Sequence, residues 1–237
     1  MYHRTQAIVG SSPVSSFSDP ESVARYAEGP VRMVPGFLGL QRMTGLLLAE
    51  RAGEDANVLV VGAGGGLELK VFAEAQPGWR FCGVDPSAQM LALARRTLGE
   101  MASRVDFHEG LTKSAPEGPF DAAACLLTLH FLDEDERRHT LAQIHRRLKP
   151  GAPFVAAHFS FPREGGEKAK WLARFAAFAA ASGMSEENAQ TATAAIGERL
   201  PILTPERDEA LLREAGFVGV EMFYAGFTFR GWVGYQG

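Results

Sequence analysis

The residues best suited to binding a ligand form a glycine-rich turn after a short apolar run. Residues 58–61 read Val-Leu-Val-Val, and glycines follow at positions 62, 64 and 66. An apolar run without polar alternation predicts a strand that is buried on both faces. Glycines leave room for a ligand against the backbone, and the helix predicted over residues 68–75 points its free N–H groups at that space. The pattern predicts a nucleotide-binding turn, with a tight connection that binds nothing as the alternative.

The spacing of these glycines bears on which nucleotide is bound. A dinucleotide fingerprint follows G-x-G-x-x-G, which would place its third glycine at position 67, where the chain has Leu67. The observed pattern is G-x-G-x-G instead. The spacing therefore disfavours a nicotinamide-dependent oxidoreductase.

Asp85 is the candidate for holding a nucleoside. It ends the second predicted strand, residues 79–85, and lies 19 residues after Gly66. A carboxylate at the end of a strand can accept two hydrogen bonds from the two hydroxyl groups of a ribose. The alternative is a helix N-cap for the residues from Ser87 onwards. The spacing from the glycine turn favours the ribose contact.

Further candidates follow from the rule that ligands bind beyond the carboxyl ends of the strands in an open α/β sheet. Pro86 and Met90 offer apolar surface to an adenine ring, or else they belong to the core. The third and fourth predicted strands cover residues 105–108 and 120–127. The residues that end these strands are predicted to meet the adenine edge and the reacting group, and they are Gly110, Leu111, Thr112, Leu126, Leu127 and Thr128.

Two histidines are candidate general bases. His130 and His158 lie at or just past the ends of the fourth and fifth predicted strands. An imidazole in that position can take a proton from an acceptor O–H or N–H, and His130 is the preferred catalytic candidate. A transfer reaction needs such a base only when the acceptor group is protonated, because alignment and exclusion of water otherwise supply much of the rate.

Other chemistries receive little support from the sequence. It contains no H-E-x-x-H, C-x-x-C or G-x-x-x-x-G-K-[ST] motif, and no metal site is predicted. His139 and His145 are six residues apart on the helix predicted over residues 134–148, so we expect them on its surface. The arginine pairs at 137–138 and 146–147 are interpreted as a solvated helix face, with a nucleic-acid contact as the alternative.

Length and composition indicate a soluble globular protein. The chain has 237 residues, of which 46% are hydrophobic and 22% charged, and its formal net charge is −4. This balance fits one large α/β domain and offers no broad basic surface to nucleic acid. Cys82 and Cys125 lie in apolar runs, so we expect buried thiols in a reducing compartment. Without a signal-peptide core or a long apolar run, we expect a cytoplasmic protein that does not span a membrane.

Strand and helix patterns alternate along the chain. A helix is predicted over residues 19–28 and is interrupted at Gly29 and Pro30, and an amphipathic helix follows over residues 38–51. Strands that alternate with helices predict right-handed crossovers and a parallel sheet. A closing antiparallel hairpin is predicted over residues 217–235. The fold class is therefore α/β, with a doubly wound, mostly parallel seven-stranded sheet of the Rossmann-like type.

We predict a single domain with four segments. Residues 1–54 form an N-terminal helical cap, and residues 55–161 form the nucleotide-binding core. Residues 162–201 carry two Ala-rich helices, which are either a lid over the substrate or a plain packing insert. Residues 202–237 form a C-terminal helix and the antiparallel hairpin.

Three features together resemble the class I S-adenosylmethionine (SAM)-dependent methyltransferases. They are the glycine turn at 62–66, Asp85, and the run LAQIHRRLKPG at 141–151, before the fifth predicted strand. The resemblance covers residues 55–160 and implies SAM as the cofactor and S-adenosylhomocysteine as its product. The chain departs from that family at Val60, where an acidic residue is usual, and at Leu111, where Asp is frequent.

A closer resemblance, over most of the chain, is to the carboxy-S-adenosylmethionine synthases. It is carried by M-V-P-G-F at 33–37, T-L-H-F-L at 128–132 and H-F-S-F at 158–161. The resemblance implies conversion of SAM and prephenate to carboxy-SAM for tRNA wobble modification, by a homodimer.

Three ligand-contacting positions of that family differ in this chain. Phe37 stands where the synthases have a Tyr, and Leu126 where they have an Asn. The Arg of their lid falls near Ala194 or Ala195, and the next arginine here is Arg199. An added carboxylate without its donors would be poorly paired in a closed site, so these departures argue against synthase chemistry.

The resemblance and its departures together predict a SAM-dependent methyltransferase that acts on a small, largely apolar acceptor. The amino-acid end of SAM is assigned to Gly62, Ala63, Gly64 and Gly66, the ribose to Asp85, the adenine to Pro86, Met90, Gly110 and Leu111, and the methyl group to Phe37 and residues 126–128. The alternatives are a carboxy-SAM synthase and a non-catalytic SAM-binding protein. A homodimer is compatible with the resemblance, and we expect neither a membrane nor a nucleic-acid partner.

Overall fold

The computed structural model describes residues 28–237, so the helix predicted over residues 19–28 lies outside the described residues except for Glu28. The strands are β1 (Asn57–Val61), β2 (Arg80–Asp85), β3 (Val105–Glu109), β4 (Ala122–Leu126), β5 (Pro153–Phe159), β6 (Phe217–Gly226) and β7 (Phe229–Gln236). The α-helices are α1 (Glu28–Met33), α2 (Phe37–Ala49), α3 (Leu67–Ala75), α4 (Ala88–Leu98), α5 (Glu134–His145), α6 (Glu167–Ala181), α7 (Glu186–Arg199) and α8 (Pro205–Glu214). Short 3₁₀ helices cover Gly99–Arg104, Thr112–Ser114 and Leu129–Phe131.

The strands form one seven-stranded sheet in the order β3-β2-β1-β4-β5-β7-β6. Strands β1 to β5 run parallel, and the β6–β7 hairpin adds to β5 in the antiparallel direction. The strand order reverses between β1 and β4, because β2 and β3 extend to one side of β1 while β4 and β5 extend to the other. The predicted doubly wound sheet is confirmed, and its switch point lies where the glycine turn leaves β1.

Two hydrophobic layers cover the faces of the sheet, and β1 contributes to both. Val58 and Val60 belong to the layer under α2, α3 and α4, whereas Leu59 and Val61 belong to the layer under α5 and α8. A strand with both faces buried has an unbroken apolar sequence, as residues 58–61 do. The two cysteines are buried free thiols, as the sequence predicts.

The segment before the sheet differs from the prediction at one point. Helix α1 runs through Gly29 and Pro30, where the sequence predicted an interruption. Proline lacks an N–H group, but the first N–H groups of a helix have no intrahelical acceptor, so proline is tolerated there. Gly36 then adopts a left-handed conformation, with φ 67°, and precedes the first turn of α2.

Two of the arginines predicted on a solvated helix face are buried, so that prediction was wrong for them. Arg137 forms an ion pair with Asp208 of α8 and donates to the Pro201 carbonyl at 3.1 Å. Arg147 donates to three backbone carbonyl groups of residues 113–116. A pair of consecutive arginines in a helix places its members on different faces, and only the tertiary fold decides which one meets buried acceptors.

The two helices between β5 and α8 are fastened to the rest of the molecule. Helix α6 packs against α7 and against α1. The Phe175 ring of α6 lies 5.6 Å from the Phe159 ring, centroid to centroid, at the end of β5. Lys168 of α6 donates to the Gly197 carbonyl of α7 at 2.6 Å. Helices α6 and α7 therefore pack over the end of β5 and the start of β7.

Candidate cofactor-binding site

A cavity of about 540 Å³ lies at the carboxyl edge of the parallel strands. It is bordered by the ends of β1, β2 and β4, by the loop after β3, and by the first half of α5. This is the position in which open α/β sheets bind ligands, and the size suits a small molecule. The structure brings most of the predicted cofactor-binding residues together in the cavity wall, namely Gly62, Gly64, Asp85, Pro86, Met90, Gly110, Leu111, Thr112, Leu126, Leu127 and Thr128.

Two positions of the turn require glycine for different reasons. Gly62 has φ 72°, and a Cβ atom there would lie 2.0 Å from Thr128 Oγ1. Gly66 has φ 78°, and its Cβ atom would lie 2.9 Å from the Cα atom of Ala94 in α4. A side chain at Gly62 would therefore separate the ends of β1 and β4, and one at Gly66 would push α4 away from α3.

Asp85 connects the end of β2 to the glycine turn. One carboxylate oxygen accepts a hydrogen bond from the Gly64 N–H at 3.0 Å, and the other accepts one from the Ser87 N–H at 2.9 Å. The N-cap of α4 is Ser87, whose side chain accepts from the Met90 N–H, so Asp85 does not fill that role. Burial raises the pKa of Asp85, and the Ser87 and Gly64 N–H groups act in the opposite direction. Each oxygen keeps a further acceptor position for a ligand hydroxyl group.

Comparisons with known proteins agree with this geometry. Residues 59–154 match a family model described as a methyltransferase domain. The carboxy-S-adenosyl-L-methionine synthase of Chromohalobacter salexigens is 28% identical over 228 residues, which cover 94% of this chain and 84% of that protein. The enzyme of the same name from Actinobacillus succinogenes is 25% identical, with coverage of 92% and 94%.

Solved structures share the fold. Human N-acetylserotonin methyltransferase in complex with SAM matches with a TM-score of 0.66 and 15% identity, over 97% of this chain and 60% of that chain. An O-methyltransferase family protein from Burkholderia thailandensis matches with a TM-score of 0.69 and 16% identity, over 94% and 62%. The chain is an enzyme of the class I SAM-dependent methyltransferase type. It spans less than two thirds of these two solved chains, and their likeness extends to the fold alone.

The cavity of this SAM-dependent enzyme has an outer wall that the sequence analysis missed. It is formed by the 3₁₀ turn before α5 and by the first half of α5, through Phe131, Leu132, Asp135, Glu136, His139 and Thr140. His139 is exposed, as the sequence predicts, and lies at the rim of the cavity. The i, i+3, i+4 spacing of 135, 136, 139 and 140 would have grouped them on one helix face, but nothing in the sequence says what that face meets.

Four of the predicted site residues do not line the cavity. Phe37 is buried in the hydrophobic layer under α2, and Ala63 is buried in the same layer. Gly66 lies behind the turn, where it contacts α4. The fourth is His130.

His130 is a buried histidine of the protein interior. Its Nδ1 accepts a hydrogen bond from the Phe159 N–H at 3.4 Å, and its ring meets the Phe159 ring edge-on, 5.0 Å away. Burial lowers the pKa of His130 well below its ordinary value, and nearby His158 and Arg137 lower it further. Since its ring does not border the cavity, the geometry does not support His130 as a base there.

His158 belongs to a buried polar cluster next to the site. Its Nε2 lies 3.2 Å from Asp208 Oδ1, and Arg137 pairs with the same carboxylate. Burial on its own would raise the pKa of Asp208, but His158 and Arg137 together hold it below its ordinary value. The cluster ties α5 to α8 and so holds one wall of the cavity in place.

The residues present fit the parts of SAM. The wall combines the acceptor oxygens of Asp85 for hydroxyl groups, the apolar surfaces of Met90, Leu111 and Phe131 for a base, and a glycine turn at the start of α3 for a charged amino-acid group. None of the helices within residues 28–237 has the length and apolarity needed to cross a lipid bilayer.

Proposed function

We propose that this enzyme transfers the methyl group of SAM to a small, largely apolar acceptor. The observation that carries the proposal is the apolar character of the cavity where β4 ends. Leu126 and Leu127 line it there, together with Phe131 and Leu132 of the following turn. Apolar walls favour an apolar acceptor because polar groups buried without partners are costly.

In this proposal the chain binds and orients the cofactor and the acceptor, and it excludes water from them. Asp85 holds the ribose, while Pro86, Met90, Gly110, Leu111 and Thr112 enclose the adenine and the turn at 62–66 holds the amino-acid end. When bound, SAM supplies a methyl group on a positively charged sulfur, and its loss leaves S-adenosylhomocysteine. Residues 126–128 position the reacting groups, and their apolar surface excludes water from them.

Leu127 is the residue of this segment with an unusual backbone. It has φ 54°, and its N–H donates to the Ala157 carbonyl at 2.6 Å. Leucine rarely adopts a left-handed conformation, and such residues cluster at functional sites. The Thr128 side chain, next in the chain, lies against Gly62, so residues 126–128 adjoin the glycine turn, which supports a role for them in positioning the reacting groups.

A second candidate function is carboxy-SAM synthesis. Its support is that curated relatives with that name match over more than nine tenths of the chain. The positions at which this chain differs from the synthases argue against carboxy-SAM synthesis. Leu126 offers no hydrogen-bond donor for the added carboxylate, and Phe37 is buried in the core. Arg199 is exposed at the end of α7 and is absent from the described cavity wall.

One experiment separates the candidates. Purified protein is incubated with SAM alone, with SAM and prephenate, and with SAM and a panel of small apolar phenols, amines and carboxylic acids. The products are then identified by mass spectrometry. We expect S-adenosylhomocysteine and a methylated acceptor from the panel, and no carboxy-SAM. Carboxy-SAM from the prephenate mixture would establish the synthase, and SAM binding without turnover would indicate a non-catalytic SAM-binding protein.

We also propose a cellular setting and an assembly. The buried free thiols support a reducing compartment such as the cytoplasm. The resemblance to homodimeric enzymes supports a homodimer, which sedimentation equilibrium at micromolar protein concentration tests directly. Within the chain, we propose that residues 55–161 bind SAM and that residues 162–201 cover the acceptor.

A further inference from the structure

We propose that His108 and Ser114 are positioning residues, which hold the loop of residues 110–114 in the shape that binds the adenine of SAM. This role rests on the proposed SAM site and deepens it. Neither side chain is part of the cavity wall, but His108 lies against Gly110 and Ser114 bonds to Leu111, and both of these residues line the cavity. The pair therefore acts on the ligand through the loop.

The loop after β3 forms one wall of the cavity and is fixed to the body of the protein at two points. The Gly110 N–H donates to the Asp85 carbonyl at 3.0 Å, which joins the start of the loop to the end of β2. The buried Arg147, just after α5, donates to the Lys113 carbonyl at 3.2 Å. Four successive residues of the loop line the cavity, namely Gly110, Leu111, Thr112 and Lys113.

The Ser114 hydroxyl group connects the middle of the loop to β3. Ser114 Oγ donates to the Leu111 carbonyl at 2.9 Å, and it lies 3.1 Å from Nε2 of His108. A serine hydroxyl group has a single hydrogen, and the Leu111 carbonyl receives it, so the oxygen must accept a hydrogen bond from the ring. The Nε2–H group of His108 therefore donates to Ser114 Oγ. The bonds run in one direction, from the His108 ring through Ser114 to Leu111.

Gly110 shows how closely this pair lies against the loop. A Cβ atom at position 110 would lie 2.5 Å from Ser114 Oγ and 3.1 Å from His108 Nε2. Both distances are shorter than ordinary van der Waals contacts, so a side chain there would displace the hydroxyl group and the ring. The two side chains therefore pack against bare backbone at the first residue of the cavity wall, and the hydrogen-bonded pair requires a glycine at this position.

Leu111 explains why the loop needs to be held. Its surface is 53% exposed at the cavity, and apolar surface of this kind gains free energy when it is buried. The Leu111 carbonyl accepts from both the N–H and the hydroxyl group of Ser114, each at 2.9 Å. These bonds keep Leu111 at the edge of the cavity, where its side chain can cover a base. Less ordering of the loop then remains when the ligand binds, which favours binding.

Titration calorimetry with S-adenosylhomocysteine tests the pair. Ser114→Ala removes both side-chain hydrogen bonds, and His108→Leu removes the ring donor. Because these bonds are exposed, we expect each variant to weaken binding about 3- to 10-fold. The two side chains act in one series of bonds, so the double variant should bind within about twofold of Ser114→Ala alone. His108→Gln places an amide N–H donor in the same position and should bind within about twofold of the wild type.

Ser103→Ala is the matched control. Ser103 Oγ donates to the Glu100 carbonyl at 2.8 Å, three residues back in a 3₁₀ helix, as Ser114 Oγ does to Leu111, but Ser103 lies before β3 and away from the cavity wall. We expect its Kd to equal that of the wild type. Hydrogen exchange, followed by mass spectrometry, then locates the effect of Ser114→Ala. We expect faster exchange only in residues 110–115 of the free protein, and wild-type exchange with saturating S-adenosylhomocysteine.

The pair and the SAM site fail in different ways. If the wild type binds S-adenosylhomocysteine and Ser114→Ala and His108→Leu bind it equally well, the pair does not position the loop. Equal weakening by Ser103→Ala, or faster exchange throughout Ser114→Ala, would mean a general loss of stability and would also overturn the positioning role. A loss in His108→Gln as large as in His108→Leu would exclude the Nε2–H donor. If the wild type binds no S-adenosylhomocysteine, the SAM site itself is wrong.

Discussion

Asp85 offers a direct test of the nucleoside site, because its two roles can be separated by substitution. Its carboxylate accepts the Gly64 and Ser87 N–H groups and faces the cavity with 9% of its surface exposed. Asp85→Ala would leave both N–H groups unpaired, so its effect on binding would be mixed with damage to the turn. Asp85→Asn keeps the shape and one acceptor oxygen, and is the better variant.

The magnitude follows from the bonds that are lost. A hydrogen bond to a charged group contributes about 1.5–3 kcal/mol, and the amide replaces one acceptor oxygen by a donor and removes the charge from the other. The amide therefore loses one ribose contact and keeps the other only as a neutral hydrogen bond, which weakens binding by about 2–4 kcal/mol, or roughly 30- to 10³-fold in Kd. The backbone contact that the amide cannot accept lowers the free energy of unfolding by about 1–3 kcal/mol.

The assay is calorimetric titration of Asp85→Asn with S-adenosylhomocysteine and with its 2′-deoxy analogue. In the wild type the missing hydroxyl weakens binding, and in the variant the two ligands should bind alike, as expected when a contact is already absent. Asp106→Asn is the control, because Asp106 is exposed on the neighbouring strand β3. If Asp85→Asn bound S-adenosylhomocysteine within about threefold of the wild type, the ribose assignment would be refuted.

Three further predictions concern the turn, the buried ion pair and pH. Gly62→Ala places a Cβ atom on Thr128, so chemical unfolding should show a loss of more than about 2 kcal/mol and titration a loss of SAM binding. Arg137→Met leaves the buried Asp208 carboxylate without its arginine partner and should lower the free energy of unfolding by about 3–5 kcal/mol. Substitution of the more exposed Arg138 by Met should change the free energy of unfolding by less than about 1 kcal/mol. The pKa of Glu68 rises from 4.5 to about 8 on folding, so the folded state binds the extra proton between these values. The ligand-free protein should therefore lose stability, by up to about 5 kcal/mol, as pH rises through this window, and unfolding curves of Glu68→Gln should lack this slope.

Much of the fold is predictable from the sequence because local patterns and tertiary contacts agree. The run at 58–61 is apolar without interruption because both faces of β1 are covered, and glycines at 62 and 66 are required by Thr128 and by α4. The ends of β2, β3 and β4 then fall together at the switch point of the sheet. The positions of these residues directly after the predicted strands were therefore enough to predict most of the cavity wall.

The features that the sequence does not reveal have a common cause, which is that chain position does not give side-chain direction. His130 directly precedes a cavity residue, Phe131, yet its ring enters the interior and contacts Phe159. His139 is exposed as predicted, but the sequence does not show that it also borders the cavity. Arg137 is buried because Asp208 lies on a helix 71 residues later in the chain. Contacts of such long range leave no local pattern to detect.

The most direct test of the account is mass spectrometry of the small molecules released from freshly purified protein. We predict SAM or S-adenosylhomocysteine, bound in about one copy per chain at the site of Asp85 and lost in Asp85→Asn. A species heavier by one carboxylate would contradict the methyltransferase assignment and establish carboxy-SAM as the natural ligand. Release of neither, with no saturation when SAM is added back, would contradict the cofactor site itself.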